Sequence, residues 1–187
     1  WEFPSIPLNA CDEGEDVDVR ERGRLKYSAD SIDFFSENGA AGIAASKRIK
    51  GVVLHEIMSG ITVPEDLETA CLDSLEMGDL SVEEYGSAVE LLSDRLVSAR
   101  SRGWFSDTAE RVLNEVTLID TDGEIYRPDR VEIMNGKVLI IDYKFGEHHR
   151  KYERQLRKYA DIWIRMGYAE VSAVLWYVFD DKVISVV

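Results

Sequence analysis

The sequence predicts an α/β fold: a central mixed β-sheet flanked by helices, preceded by a mainly helical portion. Three observations predict it. Between residues 112 and 144, short β-branched runs are separated by Asp122-Gly123 and Asn135-Gly136, the strongest short-range signal for consecutive hairpins. The run Val138 to Tyr143 is apolar on both faces, which places it centrally in the sheet. A basic amphipathic helix from about Arg150 to Met166 then leads to a second continuous apolar run, Val171 to Phe179, so this βαβ crossover is expected to be parallel and right-handed.

In chain order, residues 1–23 are punctuated by Pro4 and Pro7 and turn acidic from Asp12 to Asp18, and they read as a linker or extended arm. Residues 24–187 read as one domain, mostly helical over 24–103, with the sheet core and its basic helix over 112–187. Leu25 to Ser28 is an extended lead-in, and Ser28 or Asp30 caps a short helix through Phe34 and Phe35 that Asn38-Gly39 ends. Ser46 is the expected N-cap of a helix to about Ser59, with Ile49, Val52, Val53 and Ile57 as its apolar stripe. Pro64 suits the first turn of a second helix, from Thr62 to about Met77. Ser81 and Glu84 form a capping box for a third, whose Tyr85, Val89, Leu92, Leu96 and Ala99 repeat at helical spacing until Gly103. Val112 to Ile119 is the first strand, Tyr126 to Met134 and Lys137 to Lys144 form the second hairpin, and Lys182 to Val187 is the last strand. Tyr152, Leu156, Tyr159 and Trp163 form the buried stripe of the basic helix.

At 187 residues and 45% apolar content the chain is long enough to bury its own core. Two cysteines, Cys11 and Cys71, lack metal-ligand spacing and fit a reducing cytoplasm, so a cytoplasmic location without an iron–sulfur cluster is expected. No apolar leader or span is apparent, and no G-x-x-x-x-G-K-[ST] supplies an ATP site. The net charge of −14 argues against a nucleic-acid partner. It is unevenly spread, however: Pro64 to Asp94 holds ten Asp/Glu and no Lys or Arg, a solvated face, whereas Arg150 to Arg165 holds six Arg/Lys against two acids.

With Asn135 and Gly136 at the centre of a type I′ turn, paired positions sum to 271, so Glu132 faces Leu139 and Asp129 faces Asp142. Opposed Cβ atoms lie about 5 Å apart on one face, and like charges placed so repel. Lys144, two residues beyond Asp142, projects from the same face. A divalent cation between the two carboxylates would turn the repulsion into a site. Gly51 and His55 share one helix face, where the glycine leaves room beside the imidazole. Alone, His55 reads as a helix-flank histidine bonded to a carbonyl; with Asp129 and Asp142 it reads as a ligand. His148 and His149 read as a helix-start loop, since adjacent residues point in different directions.

Pro128-Asp129 followed by Asp142-Tyr143-Lys144 resembles the PD-(D/E)xK nuclease signature. Gly51-x-x-x-His55, Glu115 and Gln155-x-x-x-Tyr159 resemble the additional motifs of its RecB-like branch, and the order matches from about Ser28 to Val178. The resemblance implies a restriction-endonuclease-like core and metal-dependent, exonucleolytic hydrolysis of DNA. Asp129 and Asp142 would hold one or two Mg²⁺ ions, which Mn²⁺ can replace, with His55 and the Tyr143 backbone carbonyl as further ligands. Lys144 would orient the attacking water and stabilise developing charge. Glu115 takes an outer role, holding a cation-bound water, against the plainer reading of an exposed strand acid.

Gln155 and Tyr159 are assigned to the DNA strand, although Tyr159 reads equally as core packing; Arg127, Arg150, Lys151, Arg154, Arg157 and Lys158 would contact phosphates. No element for reading bases is apparent, so digestion without strong sequence preference is expected. RecB-like nucleases often end the chain of an AddA/RecB-type helicase in double-strand-break repair. The start at Trp1 and the linker-like first residues suit such an excised domain, fed single-stranded DNA by its own motor beside a second nuclease or helicase subunit. The alternatives are a nuclease-like DNA-threading or protein-docking module without catalysis, and a restriction-type endonuclease.

Overall fold

The computed structural model describes residues 43–187, with side chains from Gly51 onward. The chain divides into two units, Trp1–Glu37 and Asn38–Val187, and the described residues all belong to the second. The expected arm over residues 1–23, the lead-in at Leu25, the short helix through Phe35 and its Asn38-Gly39 stop lie outside the described residues.

Helix α1 spans Ile43–Gly60, so Ser46 lies inside it and does not cap it; Ala44 and Ala45, strong helix formers, carry the helix further back. The expected second helix is split. A 3₁₀ turn at Pro64–Asp66 precedes α2, Leu67–Glu76, because the Asp66 carboxylate reaches back to accept from the backbone N–H of Thr62 and Val63, both at 2.9 Å. Helix α3, Val82–Ser101, begins on the expected capping box: Ser81 Oγ accepts from Glu84 N–H at 3.3 Å, and Glu84 accepts from Ser81 N–H at 3.2 Å. Gly103, at φ +84°, ends the segment in the left-handed conformation.

The strands are β1 (Arg111–Asn114), β2 (Leu118–Ile119), β3 (Ile125–Tyr126), β4 (Arg130–Met134), β5 (Lys137–Lys144), β6 (Glu170–Tyr177) and β7 (Lys182–Ser185), with α4 (Arg150–Arg165) between β5 and β6. Five of them form a mixed sheet in the order β1-β4-β5-β6-β7, in which only the β5–β6 pair is parallel. The fold is thus α/β, with β5 central. Asn135 and Gly136 both have positive φ, 52° and 72°, and the register follows the turn: Met134 pairs with Lys137, Glu132 with Leu139, Arg130 with Ile141.

The strand expected from Val112 to Ile119 is broken. Glu115 has φ +51°, which ends β1 and hands the following residues to a separate β2–β3 ribbon. Glu115 is therefore a bend residue and not a strand residue.

Alternation along the central strands sends side chains to two layers. Ile141, Tyr143, Val174, Trp176 and Val178 pack with Ile57, Met58, Leu92, Leu96 and Phe105 from the α1–α3 side. The opposite parity, Val138, Ile140, Ala173 and Leu175, is also buried, and α4 covers it with Tyr152, Leu156, Tyr159 and Trp163. Flanking helices thus make the central strands apolar on both faces. Among the described residues no helix is long and apolar enough to cross a membrane.

Candidate metal centre

The site forms where the β4–β5 ladder runs out. Asp129 precedes β4, and instead of extending the ladder its carboxylate replaces it: Oδ2 accepts from the backbone N–H of Tyr143 at 2.6 Å. Its carbonyl accepts from Glu115 N–H at 3.0 Å, so Asp129 is pinned between the ends of β1 and β5. The left-handed bend at Glu115 begins at this bond. His55, on α1, brings Nε2 to 3.2 Å from Asp129 Oδ1. His55, Glu115 and Asp129 each offer one ligand atom, all within 4.8 Å of one another.

Asp142 takes a different partner. It lies on the α4 face of β5, buried, in an ion pair with Lys144, whose ammonium sits 4.8 Å from the Tyr152 ring centroid. The crowding of Asp129 and Asp142, expected to need a cation, is met by the protein's own groups: Lys144 serves Asp142, while His55 and the Tyr143 N–H serve Asp129. Glu115, given an outer role by sequence, has a long ion pair with Arg127 Nε, at 3.8 Å, and the imidazole of His55 within 4.8 Å.

The titration pattern follows. Burial, and then the charge of Asp129, push Glu115 up to about 7. Burial also raises Asp142, to about 6, with Lys144 opposing and Asp129 adding to the rise. Asp129 is held below the usual carboxylate range: burial works against this, but the charge and hydrogen bond of His55 prevail. His55 is raised in turn, since Asp129 and Glu115 outweigh the effect of burial, and Lys144 is raised because Asp142 and Asp129 do the same.

Two carboxylates and an imidazole fit a hard or borderline divalent cation such as Mg²⁺ or Mn²⁺, and the histidine favours Mn²⁺ of the two. Glu115 and His55 keep 32% and 21% of their side-chain surface exposed, which leaves an approach from solvent.

A pH prediction follows from these shifts. Glu115 and Asp142 are carboxyls whose folded values exceed the unfolded ones, so each costs stability as pH rises from its unfolded value to its folded one. His55, raised by its partner, contributes stability that is lost as pH rises through its folded value. All three act in one direction between pH 5 and 8. The cation-free protein is expected to melt at a lower temperature at pH 8 than at pH 5. Glu115→Gln should remove on the order of 1 kcal/mol of that slope, discounted for the third of the carboxylate that stays in water. A melting temperature flat from pH 5 to 8 would contradict the assignment.

What aligns α1 with the sheet was not visible in sequence. Arg130 is fully buried and donates from Nη1 to Ile61 O and from Nη2 to Thr62 O, both at 2.8 Å, and from Nε to Glu132 Oε1 at 2.7 Å; its guanidinium carbon lies 3.8 Å from the Phe105 ring centroid. Asn114 Nδ2 donates to Ser59 O and Ile61 O at 2.8 and 3.0 Å. These side chains satisfy carbonyls in the last turn of α1 and in the two residues just beyond it, and a cation there suits the helix dipole. The available signal was an Arg and a Glu two apart, on one face of a strand whose alternate residues are Val131 and Ile133.

Gly51 serves a neighbour other than the expected one. A Cβ there would lie 3.1 Å from Phe145 Cβ, so the glycine lets α1 approach the end of β5, and His55 packs edge-on against Tyr143 and Phe145 with ring centroids 6.1 and 6.4 Å away. Tyr159 is buried; it takes the Gln155 amide at 2.7 Å and donates to Arg127 O at 3.4 Å, which ties α4 to the residues before Asp129. Arg150, Arg154, Arg157 and Lys158 form an exposed stripe along α4, Lys151 is half-buried with its ammonium 5.7 Å from the Tyr152 ring centroid, and Lys158 donates to the Tyr126 hydroxyl at 3.3 Å. Cys71 is buried in the helical core. No protein-family model and no curated protein matches this sequence.

Proposed function

We propose that this chain is a divalent-cation-dependent nuclease domain that hydrolyses DNA phosphodiesters, with a restriction-endonuclease-like core of the RecB-like kind that its motifs resemble. The convergence of His55, Glu115 and Asp129 at the end of β5, beside the Asp142–Lys144 pair, carries this reading. Mg²⁺ or Mn²⁺, when bound, supplies Lewis-acid polarisation of the phosphoryl oxygen and lowers the pKa of a bound water. Lys144 orients the attacking water and offsets charge developing on phosphorus-bound oxygen, with Asp142 fixing the direction of its ammonium. The Tyr143 carbonyl, on the same strand edge as the N–H bonded to Asp129, is a further oxygen donor. The exposed stripe Arg150, Arg154, Arg157 and Lys158 binds the phosphates of a single strand. Delivery of that strand by a helicase motor would offset the acidic field.

The net charge of −14 favours a second reading, a nuclease-like module that threads DNA or docks protein without cutting. Degradation of a labelled single-stranded oligonucleotide with Mg²⁺ or Mn²⁺, comparing the wild type with Asp142→Ala, separates the two. The wild type is expected to degrade it and the variant to fall to background. Equal background in both assigns the chain to the second reading.

A further inference from the structure

The loop between β5 and α4 holds a second constellation. His148 is fixed at both ring nitrogens: Nδ1 lies 2.7 Å from the Tyr177 hydroxyl, and Nε2 lies 3.1 Å from Glu153 Oε1. Glu153 is in turn contacted by Arg157 at 3.4 Å, one helical turn further on. Tyr177 is the partner of Lys144 in the parallel β5–β6 ladder, so both side chains leave the same face of the sheet, the one α4 covers. Tyr152, in the first turn of α4, presents its ring to the Lys144 ammonium, and His149 packs edge-on against that ring at 5.5 Å. Lys144 is thus bordered by Asp142 along its own strand, by Tyr177 on β6 and by Tyr152 on α4. His148 joins the two elements that carry the tyrosines.

This arrangement answers a physical need. A lysine has four flexible bonds and a point charge, and holding it in one pose costs rotamer entropy, which rigid walls reduce. An ammonium offers three donors, and Asp142 can direct only part of that fan. If Glu153 accepts from Nε2–H, then Nδ1 is free to accept from the Tyr177 hydroxyl, so a neutral His148 satisfies both neighbours in a single tautomer.

We propose that His148 is a positioning residue for Lys144: by linking Tyr177 on β6 to Glu153 on α4 it fixes the aromatic walls that hold the ammonium against Asp142. The consequence for cleavage rests on the nuclease reading; the consequence for the ammonium does not.

The test uses the 187-residue chain with His148→Ala, His148→Asn, His148→Gln, Tyr177→Phe and the double variant His148→Ala/Tyr177→Phe. Asn keeps an acceptor at the Nδ1 position toward Tyr177, and Gln keeps a donor at the Nε2 position toward Glu153. Two quantities are read: the hydrogen-exchange rate of the Lys144 ammonium by ¹H–¹⁵N NMR, and kcat, KM and Mn²⁺ affinity on a single-stranded oligonucleotide. His148→Ala and Tyr177→Phe are each expected to speed ammonium exchange and lower kcat about tenfold, with KM and Mn²⁺ affinity within about twofold. The double variant should lose no more than either single one, and His148→Asn should recover more than His148→Gln. Unchanged ammonium exchange and kcat in His148→Ala would overturn the proposal, as would additive losses in the double variant or equal recovery by Asn and Gln. An inactive wild type whose ammonium exchange still depends on His148 removes the nuclease reading and leaves the positioning role standing. An active wild type indifferent to His148 removes only the positioning role.

Discussion

Asp129→Asn is expected to lower cation-dependent cleavage by about 10³-fold or more and to weaken Mn²⁺ binding in proportion, while leaving the protein folded. The amide keeps nearly the same volume and retains an oxygen for the Tyr143 N–H now bonded at 2.6 Å, and the bond from Glu115 N–H to the 129 carbonyl is untouched. What disappears is the negative charge. Without it His55 loses the partner that holds its pKa up, and burial, which pulls the other way, takes over. Glu115 loses the neighbouring charge that helps push it up to about 7, so it ionises more readily but faces a ligand set with one carboxylate fewer. Calorimetric titration with Mn²⁺, paired with single-turnover cleavage and an unfolding curve, separates these effects. Mn²⁺ affinity preserved within about threefold in a folded Asp129→Asn protein would remove Asp129 from the cation site.

Arg130→Met is expected to cost about 3–5 kcal/mol of stability. The guanidinium is wholly buried and serves Glu132, Ile61 O and Thr62 O at once, so its removal leaves a buried carboxylate without its counter-charge, takes the side-chain donor from Thr62 O and leaves Ile61 O to the Asn114 amide. Replacing both charges, as Arg130→Met/Glu132→Leu, should recover part of the loss, since a well-packed apolar pair can stand in for a buried ion pair. Recovery stays incomplete because Glu132 Oε1 also accepts from Phe105 N–H at 2.8 Å, a donor the leucine leaves unpaired. Urea unfolding of the two variants measures this. A loss below about 1 kcal/mol in Arg130→Met would show that the clamp is not what holds α1 to the sheet. Mn²⁺ affinity should fall together with stability in the single variant, because His55 rides on the helix that Arg130 secures.

Much of the sheet was legible because its signals are local. A two-residue turn with positive φ at both Asn135 and Gly136 sets the parity of every pair behind it, so Glu132 opposite Leu139 follows by counting. The apolar run of β5 announced a central strand because only a strand covered on both sides can afford Ile140 and Ile141 in succession. The Ser81–Glu84 box likewise needs only four residues to declare a helix start. The break at Glu115 was not legible: a glutamate gives no hint of left-handed backbone, and the bond that accompanies it comes from the carbonyl of Asp129.

For the site, sequence alone determined which side chains lie at the end of β5 and which face Asp142 and Lys144 share, since turn parity and strand alternation are covalent consequences. Only the tertiary structure decided how those groups are partnered: Glu115 with His55 and Asp129, and Asp142 with Lys144. The reason is that the position of His55 depends on where α1 docks. That docking is set by Arg130 and Asn114 gripping carbonyls 53 to 69 residues away, contacts that no local pattern encodes.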